Sequence, residues 1–146
     1  MKTIKTKNGK EFNVEPLNQS QIKWLTELPK YKKTIESLQT EDGYCCLGVA
    51  CEVLLDDKVK YQERDDNGFL LGDDLNCPYN QYLIKELCLK GGTGGNFSGG
   101  YSLASINDEV GEDAIKDHSL MQEYILSNAH NYFTNINTPL EYKEIK

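Results

Sequence analysis

Long apolar runs are missing from this chain. No stretch of about eighteen apolar residues occurs anywhere in its 146 residues, and the opening MKTIKTKNGKEF has no apolar signal core, so neither a membrane span nor an export leader is expected. Positive charge is scarce too: 16 Lys and Arg stand against 23 Asp and Glu, for a formal net charge of −7. Affinity for duplex nucleic acid comes from cations that displace counterions along the phosphates, so duplex binding is not expected. Histidine is limited to two residues, at 118 and 130, and the five cysteines at 45, 46, 51, 77 and 88 form no paired C-x-x-C knuckles. That spacing predicts no metal site. An odd number of thiols without an export signal points to reduced cysteines in a cytosolic protein. The glycine-rich stretch GGTGGNFSGG, with six glycines in ten residues, is followed by no lysine-serine or lysine-threonine pair and preceded by no strand, which removes a P-loop.

What is present suits one folded domain. A chain of this length buries roughly two thirds of its unfolded surface around a single core, and 38% hydrophobic residues with nine Tyr and four Phe supply that core. The pattern predicts an α+β fold, mainly helical, with two small β-hairpins and a Gly-rich loop: an N-terminal hairpin over 1–16, a helical body over 17–135 and a polar tail over 136–146 that frays. KTIKT and EFNVE flank Asn8-Gly9, the pair suited to a tight type I′ turn, and Asn67-Gly68 marks a second hairpin over 58–72.

The first helix is predicted to start at Asn18, with Gln21 completing a capping box, and to end near Pro29; Ile22, Leu25 and Leu28 make its inward stripe with Trp24 at the flank. In GYCCLGVACEVLL, residues 43–55, Leu47, Ala50, Cys51, Leu54 and Leu55 follow the spacing of a buried helical face. A third helix carries Pro78 in its first turn and stops at Gly91, a short one occupies 101–110, and a last one starts near Ser119 with Gln122 as its reciprocal cap.

Three thiols in that central segment raise the question of chemistry. Free cysteine behaves mostly as a small buried apolar side chain, and Cys51 and Cys46 fit that description. Cys45 lies near a helix N-terminus, where a thiol can be activated, but the sequence ties neither histidine to it. Gly48, on one stripe with Cys45 and Glu52, costs about 1 kcal/mol relative to Ala inside a helix, so something must approach it closely.

The pieces Q-x-x-W-L at 21–25, KYKK at 30–33, YCCLGVACEV at 44–53, the helix opening at Pro78 and SLASINDEVG at 102–111 stand in one order. In that order the chain resembles a group of small, largely uncharacterised bacteriophage proteins with a YCCLGV motif. The resemblance spans about residues 20–130; LPK at 28–30 replaces the more usual arginine-serine-glycine, so any role of that arginine does not carry over. It implies a phage accessory protein acting in the host bacterial cytosol and countering host defence by sequestering a nucleotide signal, of the cyclic dinucleotide or cyclic ADP-ribose type.

A binder of that kind needs aromatic surface for bases, donors for phosphates and polar groups for sugar or base edges. The candidate ligand-binding residues are Trp24, Lys30, Tyr31, Lys32, Lys33, Tyr44, Cys45, Glu52, Phe97, Ser98, Tyr101, Asn107 and Asp108. No catalytic residue, metal or cofactor is expected. The partner is a small nucleotide, not duplex nucleic acid or a membrane, and a homo-oligomer sharing its site between two copies would enclose a ligand simply. Two alternatives stay open: a cysteine-dependent hydrolase of a small molecule using Cys45, and a protein-binding inhibitor of a host enzyme.

Overall fold

The computed structural model describes residues 2–35, 38–54, 82–91, 94, 102–109 and 114–145. The expected hairpin around Asn67-Gly68, the helix start at Pro78 and most of the glycine-rich loop lie outside them. The described part is α+β with helices predominating, beside small antiparallel sheets of three and two strands.

The N-terminal hairpin joins β1 (Thr3–Lys5) to β2 (Lys10–Asn13), with Ile4 facing Phe12 across the ladder. Its turn differs from the expected type I′ form. Gly9 N–H donates to Thr6 O at 3.1 Å, Thr6 N–H donates to Lys10 O at 2.7 Å, and among the described turn residues only Gly9 has positive φ, at 88°. This is a type I turn closed by one left-handed glycine, so Asn8 is spared the second unfavourable angle. The tail does not fray: β5 (Tyr142–Glu144) pairs antiparallel with β2, giving the order β1-β2-β5, and Tyr142 lies against Phe12 with ring centroids 5.1 Å apart. Leu140 and Ile136 are buried ahead of that strand, which is why a polar-looking terminus holds on.

Helix α1 (Gln19–Glu27) opens with the predicted capping box, Asn18 accepting from Gln21 N and Gln21 returning the bond. Pro29 then tightens the chain into a 3₁₀ turn, Leu28–Lys30. Leu25 and Leu28 are buried as expected, but Gln21 and Trp24 share that face and Ile22 is only partly covered, so Trp24 and Ile22 exchange the places expected of them. Burying Gln21 is permitted because its carboxamide bonds Leu87 O at 2.8 Å and exchanges two hydrogen bonds with Asn135.

Strands β3 (Gln39–Thr40) and β4 (Gly43–Tyr44) form a two-residue pairing around Glu41 and Asp42, and β4 leads directly into α2 (Cys46–Leu54). All of residues 46–51 are buried, so α2 enters the core enclosed on every side rather than along one face. Next along the described chain comes α3 (Tyr82–Glu86), which stops before Gly91. Cys88 takes the left-handed position, φ 52°, and closes a Schellman motif: its own N–H donates to Lys85 O at 3.1 Å while Leu89 N–H donates to Ile84 O at 2.8 Å.

Helix α4 (Leu103–Asp108) is capped by Ser102, and α5 (His118–Ser127) by Asp117, whose side chain accepts from Leu120 N. The expected start near Ser119 with a Gln122 cap is corrected: Gln122 turns inward and donates to Leu25 O at 2.8 Å. Asn128 interrupts the last helix before α6 (Ala129–Tyr132). Among the described residues no helix is long and apolar enough to cross a membrane.

Cysteine at a left-handed helix end carries a conformational cost that glycine does not. Cys88→Gly is expected to raise stability by about 1 kcal/mol, read as a higher denaturant midpoint at unchanged slope.

Candidate functional site

The YCC segment is where separate parts of the fold meet. Tyr44 N–H donates to Lys32 O at 2.8 Å, and Tyr44 O accepts from Thr34 N–H at 2.9 Å and from His118 Nε2 at 2.7 Å. Cys45 N–H donates to Leu38 O at 3.1 Å. Cys46 N–H donates to Asn107 Oδ1 at 3.0 Å, and Cys46 O accepts from Trp24 Nε1 at 2.9 Å. Asn107 is fully buried and fully used, since its Nδ2 donates to Thr34 O and to Asp108 Oδ1, both at 3.0 Å. Lys33 Nζ donates to the carbonyl of Asn107 in the last turn of α4, where helix carbonyls lack internal partners.

The thiols here are packing groups. Cys45 is 4% exposed, its Sγ accepts from Gly48 N at 3.3 Å, and burial pushes its pKa up to about 12 against the lowering pull of the Gly48 and Leu47 N–H groups. Burial likewise drives the Cys46 thiol well above its ordinary value. Neither supplies a thiolate near neutral pH. Gly48 is explained by backbone: a Cβ there would overlap the carbonyl oxygen of Leu38, the same oxygen that receives Cys45 N–H.

His118 was readable in the sequence only as an ordinary residue ahead of a helix, yet it is 1% exposed. A carbonyl can only accept, so Nε2 carries the proton and Nδ1 is the bare nitrogen, which has no hydrogen-bond partner among the described residues. Burial lowers its pKa to about 4, outweighing the bond to Tyr44 O. Lys33 is also lowered, by burial first, with Asp108 opposing and Lys116 reinforcing the shift. The buried stripe of α5, at 118, 121, 122, 125 and 126, is the signal that placed His118 inside.

The chain matches no protein-family model, no curated protein and no solved structure.

The expected site residues divide into three sets. Trp24, Cys45 and Asn107 are buried and committed to the core, which corrects their assignment as ligand contacts: no base can stack on a fully enclosed indole whose ring meets Phe133 edge-on. Lys30 and Lys32 are exposed, Tyr31 is half-buried, and Tyr31 and Tyr44 meet edge to face with centroids 5.3 Å apart. Tyr44 also donates its hydroxyl to Glu52 Oε1 at 2.7 Å, while Lys33 and Asp108 flank the Asn107 junction. Phe97, Ser98 and Tyr101 lie outside the described residues. Among the described residues no group of three or more His, Cys, Asp or Glu side chains is arranged to hold a metal.

A second cluster escaped the sequence reading. β1 with its turn, the end of α1 with the 3₁₀ turn, and the start of α5 border an open cleft of about 510 Å³ lined by Lys5, Lys7, Lys30, Thr26, Ser119 and Gln122, with Thr3, Ile4 and Pro29. Its residues are far apart in sequence, and only Lys30 had been singled out.

Two outcomes follow from the buried junction. Gly48→Ala is expected to cost at least about 2 kcal/mol despite the better helix propensity of alanine, because backbone rather than a flexible side chain must move; chemical denaturation measures it. For His118 the folded pKa lies below the unfolded value of about 6.5, so the unfolded chain takes the proton first as pH falls. Its contribution is full above about pH 6.5 and is lost progressively towards pH 4, by about 3 kcal/mol. His118→Gln keeps a donor for Tyr44 O, and the stability lost between those pH values should be smaller by that amount.

Proposed function

We propose that the protein is a bacteriophage accessory protein that binds and sequesters a small nucleotide signal without turning it over. The observation that carries this reading is that exposed Lys30 and Lys32 stand on either side of Tyr31, which meets Tyr44 edge to face, on a chain of net charge −7. A local cationic patch of this kind attracts a small anion even when the whole molecule is negative, and the tyrosines offer π-faces to a base. The likeness of YCCLGV and the segments around it to small phage proteins supplies the biological setting.

Support for binding rather than turnover comes from the thiols. Cys45 is enclosed and held as a neutral thiol, which leaves a cysteine hydrolase without its nucleophile.

The test is a panel of cyclic dinucleotides and ADP-ribose derivatives in thermal-shift assays, followed by heat release and mass analysis of the bound material. A cognate ligand at a hundred times its Kd adds about 2.7 kcal/mol, or roughly 5–10 °C in Tm for a chain of this size, and returns unchanged. Tyr31→Ala should then weaken binding by about 1–3 kcal/mol. A panel with no shift, or a ligand returned as product, sinks the reading.

A further inference from the structure

The cleft between β1, the 3₁₀ turn and α5 has a composition at odds with the rest of the molecule. Of the side chains that line it, three are lysines and none is a carboxylate, although acidic residues outnumber basic ones by 23 to 16 in the chain. The volume of about 510 Å³ lies in the ordinary range for small-ligand sites. Lys5 makes no ion pair among the described residues; Lys7 reaches Asp117 at 3.7 Å and Lys30 reaches Glu27 at 2.9 Å, both exposed pairs of the kind that contribute little. Those two carboxylates hold the ammonium groups at the rim and are replaceable by a better anion.

The uncharged wall points to more than a bare anion. Gln122 lines the cleft, is 4% exposed and spends its Nε2 on Leu25 O at 2.8 Å, which leaves Oε1, without a hydrogen-bond partner among the described residues, as the uncommitted atom of its carboxamide. An oxygen of that kind accepts from a hydroxyl or amine and repels a phosphate oxygen. The hydroxyls of Thr26 and Ser119 beside it are equally uncommitted among the described residues, and Ser119 stands in the first turn of α5, where the helix end favours negative charge.

We propose that this cleft binds a phosphorylated sugar, its phosphate on Lys5, Lys7 and Lys30 and its hydroxyls on Gln122 Oε1, Thr26 and Ser119. The inference does not depend on the nucleotide reading: any sugar phosphate of suitable size satisfies it, and Lys30 is the one residue common to this cleft and the Tyr31–Tyr44 surface.

Ribose 5-phosphate is the probe, titrated into the ¹⁵N-labelled full chain with inorganic phosphate and ribose as separate arms. The expected result is saturable shifts confined to residues 3–7, 26–30 and 119–122, with Kd at or below about 1 mM and tighter than either arm alone. Lys5→Gln combined with Lys30→Gln should weaken binding about tenfold or more. Asp117→Asn, which keeps the cap on Leu120 N, and Glu27→Gln each free a lysine and should strengthen binding about two- to fivefold. These four positions are on the surface, and unchanged melting confirms that the variants fold. Inorganic phosphate binding as tightly as ribose 5-phosphate would overturn the sugar assignment. No saturation, shifts elsewhere, or affinity indifferent to Lys5 and Lys30 would overturn the site, whether or not nucleotides bind the protein by another surface.

Discussion

The fold depends on the backbone of residues 44–46 being fully hydrogen-bonded where the chain passes from half-buried Tyr44 into the enclosed Cys45 and Cys46. Of its six peptide groups, the Tyr44 pair goes to Lys32, Thr34 and His118, the Cys45 N–H goes to Leu38, its carbonyl accepts from Val49 N–H, and the Cys46 pair goes to Asn107 and Trp24. Apart from Val49 in α2 itself, the partners come from four separate stretches, so α1, α4, α5 and segment 32–38 are positioned by one short strand-to-helix junction. Leaving any one group unpaired at such a site costs about 1–3 kcal/mol, so the elements that supply the partners are held together.

That constraint explains the composition of the motif. Backbone can approach backbone only where side chains are small, and Leu38 O sits where a Cβ on residue 48 would stand. Cysteine at 45 and 46 meets the same demand: compact, apolar enough to be fully enclosed, and able to engage in the weak contacts from Gly48 N to Cys45 Sγ and from Cys46 Sγ to Leu103 O. The thiol density that suggests chemistry is the signature of a crowded junction.

Local signals in the sequence carried the local structure. The Asn18–Gln21 box, the stop near Pro29, the position of the turn at Gly9 and a buried helix over α2 all follow from neighbouring residues, so a linear reading reaches them. What it missed depends on partners distant in the chain. Trp24 reads as a flank residue until Cys46 O is there to receive its N–H; His118 is tied to nothing until Tyr44 O accepts from it; the tail reads as loose until β2 offers it an edge. Cys88 at a left-handed helix end was unreadable for another reason, since glycine is the usual occupant and Gly91 stood nearby. The candidate site divided along the same line: Lys30 and Lys32 stayed at the surface with Tyr31 half-buried between them, whereas the polar residue inside an apolar helix, Asn107, was drawn into the junction.

The junction also determines where lysine can collect. With the carboxamide of Asn107 and the carbonyl of Tyr44 saturated inside, the charged side chains of segment 30–33 point outward or, for Lys33, reach only the end of α4. The 3₁₀ turn forced by Pro29 carries Lys30 towards α5, and the hairpin lays Lys5 and Lys7 on the other side of the same opening. Three cations from two distant segments therefore share a cleft in an acidic molecule because the interior has no room for them. Their mutual repulsion is offset in part by Asp117 and Glu27, which form two weak, exposed pairs with Lys7 and Lys30.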